Sequence, residues 1–227
     1  MFYVFFIIVM IASMAAVGLV GFSGSTNTPA PVFSDEDLPE PTPFVLTYPA
    51  PAQTIDGTQP HVATIETNMG TIEVELATDA PNAVNSFAFL AGKGFYDGTA
   101  FFFVNDYFAQ AGDPTCNLAE DAICSGVGGP GYILPREDSA GAHEQWAIVA
   151  PALGASGDDV HGSQFRVLYQ DDLRLDGSET VFGTVTSGQE ILESLGSFLP
   201  CSVAGGDGCV DDLSSALVIE TIEVRPA

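Results

Sequence analysis

Histidine, the side chain that most often serves as a catalytic acid or base, occurs only three times in this 227-residue chain. The three histidines, His61, His143 and His161, are isolated in the sequence and match no catalytic pairing. Ser163 lies in Gly-Ser-Gln rather than in the Gly-x-Ser-x-Gly pattern that surrounds a nucleophilic serine. The sequence therefore predicts structural or surface roles for these four residues.

Four carboxylates, Asp171, Asp172, Asp176 and Glu179, lie close together and raise the question of a calcium site. A calcium-binding loop needs oxygen ligands at alternating positions, and this spacing is absent. We interpret the segment as a turn with solvated carboxylates. The chain also lacks a glycine-rich phosphate-binding loop, so the sequence predicts neither a metal nor a cofactor.

The elements that must hold any site in place are mostly strands, because apolar and polar residues alternate in several segments. Asn68-Met69-Gly70 supplies a hairpin turn between two of them, and Pro81 opens a helical stretch. The predicted strands are 62–67, 71–76, 180–185 and 217–224, and the predicted helices are 82–91 and 189–195. Together they predict a mainly β fold, a closed antiparallel barrel capped by two helices.

Four segments carry a family resemblance through their order and spacing. They are 68–76 (NMGTIEVEL), 101–114 (FFFVNDYFAQAGDP), 162–165 (GSQF) and 175–183 (LDGSETVFG). With these segments the chain resembles the cyclophilin family of peptidyl-prolyl isomerases, over residues 61–224. The resemblance implies the cyclophilin barrel and, as the family's activity, rotation about X-Pro peptide bonds.

The chemistry that the resemblance implies requires a hydrogen-bond donor. Rotation about an X-Pro bond breaks amide resonance against a barrier of roughly 20 kcal/mol. Cyclophilins bind the twisted state with an apolar proline pocket and an arginine whose guanidinium is directed at the proline nitrogen. At the position of that arginine, directly before Val104, this chain has Phe103. Loss of a comparable donor removes about 2.7–4 kcal/mol of transition-state stabilisation in other enzymes.

Transfer of the family's peptide groove to this chain, residue by residue, gives matches and departures. The matching positions are Tyr107, in place of a pocket phenylalanine, Gln110, Ala150, Gln164 and Leu175. The departures are Phe103 for arginine, Val149 for methionine, Pro151 for asparagine, Arg166 for a pocket phenylalanine, Arg174 for a rim tryptophan and Glu179 for histidine. A glycine is also missing just before Tyr107, and Pro151 removes a backbone donor where the family binds peptide.

Two functional hypotheses follow from this comparison with the family. In the first, the chain is a degenerate isomerase that serves as a binding or accessory subunit of a membrane protein complex. In the second, Arg166 or Arg174 turns over the groove and replaces the missing guanidinium, so the chain is an active isomerase that assists the folding of exported proteins. The number of departures in the groove favours the first hypothesis, although a fold resemblance does not decide between them. A proline-containing peptide is a candidate ligand in both.

The four cysteines fall into two local pairs, in loops that the family's shared elements lack. Four cysteines allow three connectivities, but the short separations favour disulfides Cys116–Cys124 and Cys201–Cys209. Zinc is the alternative, but neither pair has Cys-x2-4-Cys spacing and no histidine lies nearby. We therefore expect two disulfides and an oxidising, extracytoplasmic location.

The charge of the chain limits its partners. Acidic residues outnumber basic ones 30 to 5, which gives a formal net charge of −25. A field of this sign repels phosphate backbones and so excludes nucleic acid as a partner. The charge suits solubility in a salty or acidic medium, or docking to a basic surface on a protein partner.

The first 60 residues differ in composition from the rest of the chain. Residues 1–22 are almost uninterruptedly apolar, and roughly 20 apolar residues suffice to cross a bilayer. No basic residue precedes Lys93 and the cleavage signal at 21–25 is weak, so we expect an uncleaved transmembrane helix rather than a signal peptide. The sequence predicts an anchor (1–22), a Pro-rich acidic stalk (23–60) and an extracytoplasmic cyclophilin-like domain (61–227).

Overall fold

The computed structural model describes residues 47–117, 124–139, 141–195 and 216–227, which contain eleven strands, two α-helices and a 3-10 helix. The strands are β1 (His61–Thr67), β2 (Gly70–Leu76), β3 (Phe103–Val104), β4 (Phe108–Ala111), β5 (Ile133–Pro135), β6 (Ala147–Ala150), β7 (Ala152–Leu153), β8 (Asp159–His161), β9 (Phe165–Leu168), β10 (Thr180–Ser187) and β11 (Ile219–Pro226). The helices are α1 (Pro81–Ala91), α2 (Gln189–Glu193) and the 3-10 helix Leu173–Leu175.

Eight strands form one curled antiparallel sheet, in the order β11-β1-β2-β10-β6-β9-β4-β3, and β5-β8-β7 form a smaller sheet. The prediction of a closed barrel is wrong, because β11 and β3 remain the edges of the larger sheet. Within the described ranges, the bridge between Ala100 and Val218 and backbone hydrogen bonds between 98–101 and 217–219 join the segment before β3 to the start of β11. These contacts do not form a ladder between β3 and β11, so the sheet is a half-barrel.

The predicted hairpin and the first helix are confirmed. β1 and β2 pair from His61 with Leu76 to Thr67 with Gly70, as their alternating pattern indicates. α1 begins with Pro81 and is followed by Gly92. Its first turn is capped from elsewhere, because the carboxylate of Glu137 accepts hydrogen bonds from the backbone N–H groups of residues 82 and 83, at 3.0 and 2.9 Å.

The core fills the inside of the curled sheet and is rich in aromatic residues. The Phe87 ring, on α1, contacts Tyr96, Phe165 and Phe182 with ring centroids 5.3, 5.7 and 5.6 Å away. Phe165 belongs to β9 and Phe182 to β10, so α1 covers the middle of the sheet. Because side chains alternate along a strand, the other residues of these strands lie on the outer face.

Residues 47–60, which the composition places in the stalk, pack on the domain. The backbone N–H of Tyr48 donates to Pro130 O at 2.7 Å, and its ring lies edge-on to Phe89. The buried Asn85 side chain accepts hydrogen bonds from the N–H groups of Thr54 and Ile55. Residues 1–46, with the predicted anchor, lie outside the described residues. In the part of the chain that is described, no helix is long and apolar enough to span a membrane.

Candidate functional site

Strands β6, β9 and β4 are neighbours in the large sheet, and their outer face carries residues predicted for the peptide groove; we call this surface the groove floor. Their register places Gln110 opposite Arg166, and Arg166 opposite Val149. Paired residues of antiparallel strands share a face, so these three side chains lie side by side. Val149 belongs to a small apolar cluster on this face, with Ala147, Leu168, Val181 and Phe108.

Arg166 places a fixed cation in the groove floor. Its Nε donates to Gln110 Oε1 at 3.0 Å, and its Nη1 donates to Glu179 Oε1 at 2.9 Å. Its Cζ lies 4.6 Å from the centre of the Phe108 ring, a cation–π contact. Burial lowers the pKa of Arg166, and the charge of Glu179 offsets part of this shift. An arginine remains protonated at neutral pH even so, because its ordinary pKa is far higher.

Gln110 and Gln164 connect the floor to a glycine-rich loop. Gln110 Nε2 donates to Gln164 Oε1 at 2.7 Å, and Gln164 Nε2 donates to the carbonyl oxygen of Gly128 at 2.7 Å. Beyond this loop lies an open pocket of about 440 Å³, whose lining includes the exposed Val127 and Ile133. A peptide that crosses the floor therefore has an apolar recess beside it.

Phe103 and Phe108 lie at one side of the groove floor, where β3 pairs with β4, and we call them the groove wall. The two rings stack with centroids 5.3 Å apart and an interplanar angle of 15°. Phe103 also packs against the cluster of Phe102 and the buried Cys116–Cys124 disulfide. The predicted Cys116–Cys124 bond is thus confirmed, whereas Cys201 and Cys209 lie outside the described residues. The inserted loop therefore contacts the wall of the groove.

Comparison with known proteins identifies the family. The model of the cyclophilin type peptidyl-prolyl cis-trans isomerase/CLD family matches residues 62–224. The chain belongs to the cyclophilin family. It is 38% identical to a peptidyl-prolyl cis-trans isomerase of Helicobacter pylori over 131 residues, which cover 56% of this chain and 74% of that protein. It is 36% identical to peptidyl-prolyl cis-trans isomerase B of Bacillus subtilis over 126 residues, 55% of this chain and 82% of that protein.

Solved structures of cyclophilins show the same fold. A cyclophilin type peptidyl-prolyl cis-trans isomerase of Cryptosporidium parvum superimposes with a TM-score of 0.58 at 24% identity. The match covers 74% of this chain and 99% of that chain. The curled sheet and its two helices are therefore those of a cyclophilin-type peptidyl-prolyl isomerase.

The shortened turn before β4 moves the residues that line the wall of this cyclophilin. Asn105 Oδ1 accepts hydrogen bonds from the N–H groups of Tyr107 and Phe108, at 2.8 and 2.9 Å, and closes the turn without the missing glycine. Tyr107, the predicted pocket residue, is 52% exposed and lies on the rim. Phe108 lies beside Phe103 instead. Sequence reasoning missed Phe108, and the one-residue gap was the signal that could have found it.

The two arginines predicted near the groove occupy different environments. Arg166 lies in the floor, whereas the Arg174 side chain is 82% exposed. Arg174 donates to both carboxylate oxygens of Asp172, at 2.7 and 2.9 Å, and this bond lowers the pKa of Asp172. The neighbouring Leu175, in the 3-10 helix, is half-buried. Arg174 is therefore a rim residue that is already paired.

Two further predicted groove residues, Ala150 and Pro151, contribute less through their side chains than the resemblance implies. The Ala150 side chain belongs to the main core, so this residue offers only its backbone to the groove. Pro151 is buried and its carbonyl oxygen accepts a hydrogen bond from the N–H of His161 at 3.0 Å. Burial, followed by the charge of Arg166, lowers the pKa of His161. This edge of the groove therefore offers few free polar groups.

Glu179 connects the groove floor to the buried His143, for which the sequence predicted only a structural or surface role. Glu179 is buried and its Oε1 lies 3.4 Å from the N–H of Ala152, besides its bond to Arg166. Its Oε2 lies 3.8 Å from Nε2 of His143. In sequence these two residues are far apart and share no motif. Only the folded sheet brings them together.

Proposed function

We propose that this cyclophilin binds proline-containing segments of extracytoplasmic proteins and isomerises them slowly, so that binding is its main task. It would then act as an accessory subunit of a membrane protein complex. The observation that carries the proposal is the position of Arg166, which places a paired guanidinium where the family has a pocket phenylalanine. A proline ring would meet a polar floor there instead of an apolar pocket.

The residues in the wall of the groove support the proposal that catalysis is weak. Phe103 offers no hydrogen bond to a proline nitrogen, and its ring is engaged with Phe108 and with the disulfide cluster. Mutation of single donors that stabilise developing charge lowers kcat by about 100- to 1,000-fold in other enzymes. We expect a loss of this order relative to cyclophilins that retain the arginine.

Peptide binding does not require that arginine to the same extent. The Gln110–Gln164 pair remains in the floor, and the pocket near Val127 lies beside it. A Cryptosporidium parvum cyclophilin, 25% identical with a TM-score of 0.57, was solved in the presence of the dipeptide Ala-Pro; that match covers 73% of this chain and 99% of that chain. This neighbour supports a proline-containing peptide as the ligand.

The test separates binding from turnover. The full-length chain and Bacillus subtilis isomerase B are compared in a protease-coupled assay with a tetrapeptide that contains a central Ala-Pro bond. We expect this chain to be at least about 100-fold slower, and we expect peptide titration monitored by NMR to detect binding. A rate within about tenfold of the Bacillus enzyme would contradict the proposal.

A second candidate function, isomerisation catalysed by Arg166, is favoured by one nitrogen of its guanidinium that is unpaired among the described residues. Its Nη2 makes no hydrogen bond to any residue that the structure describes, so it remains available to a bound peptide. If this guanidinium catalyses isomerisation, Arg166→Ala abolishes turnover and Phe103→Arg adds little. If the groove has only lost its donor, Phe103→Arg restores some turnover, and Arg166→Ala changes the KM for the peptide but not the residual kcat. We expect the second pattern, with modest rescue.

We also propose a single-pass membrane location with the domain on the extracytoplasmic side. Two observations support it: the apolar run of residues 1–22 and the Cys116–Cys124 disulfide, a bond that persists in oxidising compartments. Mass spectrometry of the native protein should recover an N-terminus at or near Met1 in the membrane fraction. A mature N-terminus near Ser25 in a soluble fraction would refute the anchor.

A further inference from the structure

A buried imidazole lies directly behind the groove floor. The His143 side chain is 1% exposed, and its Nδ1 lies 2.8 Å from Asp176 Oδ1. Its Nε2 faces Glu179 Oε2 at 3.8 Å. Both of these facing atoms are buried, and neither has a hydrogen-bond partner among the described residues. The other oxygen of the same carboxylate, Glu179 Oε1, accepts a hydrogen bond from Arg166.

Asp176 determines which nitrogen of the imidazole carries the hydrogen. An ionised carboxylate only accepts hydrogen bonds, so Nδ1 of His143 must be the donor in their contact. The pKa of Asp176 lies below its usual value because its carboxylate accepts hydrogen bonds from the backbone N–H and the ring of His143. In a neutral imidazole, Nε2 is then an acceptor. Two acceptors, Nε2 and Glu179 Oε2, therefore face each other in a buried space, which is unfavourable until a proton joins them.

We propose that His143 is a positioning residue for the groove: a proton shared between His143 Nε2 and Glu179 Oε2 draws the Glu179 carboxylate away from Arg166 and frees the guanidinium for a bound peptide. This inference rests on the proposed function, because the guanidinium acts on the proline-containing peptide that the groove binds. His143 itself touches no ligand and acts through Glu179.

Charged groups of both signs surround His143. Asp176 and Glu179 contact the ring, and Asp172 acts on it from the turn before the 3-10 helix. The two nearby cations are each paired with a carboxylate, Arg174 with Asp172 and Arg166 with Glu179. Three carboxylates thus surround the site against two guanidinium groups.

Proton uptake changes what Arg166 offers to the groove. Without the proton, Glu179 and Arg166 form a pair of opposite charges, and Nη1 is engaged with the carboxylate. With the proton, the Glu179 carboxylate interacts with both the His143 imidazolium and the Arg166 guanidinium, so its hydrogen bond to Arg166 weakens. Nη1 can then donate to a carbonyl oxygen of the peptide. The peptide should therefore bind more tightly as the pH falls from about 8 to 5, the range in which histidines titrate.

A measurement without ligand tests the coupling directly. In the full-length protein, the NMR resonance of the Arg166 Nε–H group, assigned by its loss in Arg166→Lys, is followed between pH 8 and 5. We expect it to shift with the same midpoint as the ring of His143. The shift should vanish in His143→Gln and persist in His161→Gln, the matched control because the charge of Arg166 also acts on His161, on β8. A pH-independent resonance, or a shift that survives in His143→Gln, would overturn the proposal.

Peptide affinity gives the second readout, with the Ala-Pro tetrapeptide of the isomerase assay. We expect at least about fivefold tighter binding at pH 5 than at pH 8 in the wild type, the low end of the usual range for coupled sites. Glu179→Gln, which keeps the shape but removes the charge, should bind at both pH values as the wild type binds at pH 5. Equal binding at both pH values in the wild type overturns this inference and leaves the proposed function standing. Absence of binding at both pH values refutes the proposed function. The coupling between His143 and Arg166 is then tested only by the pH dependence of the Arg166 resonance.

Discussion

The inner and outer faces of strands β4, β9 and β6 carry different kinds of residues, although these residues alternate along the same backbone. Phe165 and Val167 of β9 face a core of aromatic and aliphatic side chains. Between them, Arg166 faces a groove with Gln110 and Glu179 as partners. The alternation explains how this chain keeps the cyclophilin fold while its groove departs from the family. A substitution on the outer face leaves the packing of the inner face intact.

The two faces also contribute differently to the free energy of folding. Burial of the inner face stabilises the fold through the apolar area removed from water, about 25 cal/mol per Å². An ion pair such as Arg166–Glu179 contributes little net stability, because desolvation of both charges offsets their attraction. The groove face is therefore free to diverge, provided that its charges remain paired. The following variants test this distinction.

Phe165→Ala on the inner face should have the largest effect. Phe165 is 1% exposed and its ring touches Phe87, Tyr96 and Phe101, so its truncation leaves a cavity that these neighbours cannot fill. We expect a loss of about 3–5 kcal/mol in the free energy of unfolding, measured by chemical denaturation. Phe165→Leu, the matched control, should lose much less. A loss below about 1 kcal/mol for the alanine variant would mean that the core is not packed as described.

Arg166→Met, at the next position on the outer face, should have an intermediate effect of a different kind. The methionine keeps the length of the side chain, but it leaves the buried Glu179 carboxylate without its cation. Removal of one partner from a fully buried pair costs about 3–5 kcal/mol, and the partial exposure of Arg166 reduces our expectation to about 2 kcal/mol at neutral pH.

The double variant Arg166→Met/Glu179→Gln separates charge from packing. It should recover most of the stability lost in Arg166→Met, because the unpaired charge is gone, and denaturation under the same conditions measures it. If the double variant is no more stable than Arg166→Met, the groove face stabilises the protein through packing, and the energetic contrast between the two faces is lost.

Local sequence patterns predicted four of the eleven described strands and both α-helices. The β1–β2 hairpin, α1 and the terminal strand follow from alternation and from Pro81, and these signals are local. The closure of the barrel was predicted wrongly, because local patterns do not show that the contacts between 98–101 and 217–219 stop short of a ladder. The cap of α1 also escaped prediction, since Glu137 reaches the helix from a distant segment.

The groove was less predictable than the fold. Gln110 and Gln164 were expected to line it, and the structure brings their side chains together. Phe108, and not the expected Tyr107, lies beside Phe103. The cause is the missing glycine, and the sequence alone does not show how its loss changes the turn. His143 had no sequence signal at all, because its contacts with Asp176 and Glu179 arise from the folding of distant segments.

Arg174→Ala should have the smallest effect, and it tests whether the floor and the rim of the groove act separately. Arg174 aligns with a rim tryptophan of the family, but its exposed guanidinium is bound by both oxygens of Asp172 and no contact with the floor residues is described. Because exposed ion pairs are screened by water and salt, we expect peptide affinity within about twofold of the wild type and no resolved change in Tm.

The matched change Arg166→Ala should alter peptide affinity more strongly, because it removes the one arginine of the groove floor. Both affinities are measured by titration with the Ala-Pro tetrapeptide, at low and at high salt. If Arg174→Ala changes affinity as much as Arg166→Ala does, and salt abolishes both effects, the peptide responds to the summed charge of the two arginines. The groove would then select its ligand by long-range electrostatics, and the alternation along β9 would explain the fold but not the binding.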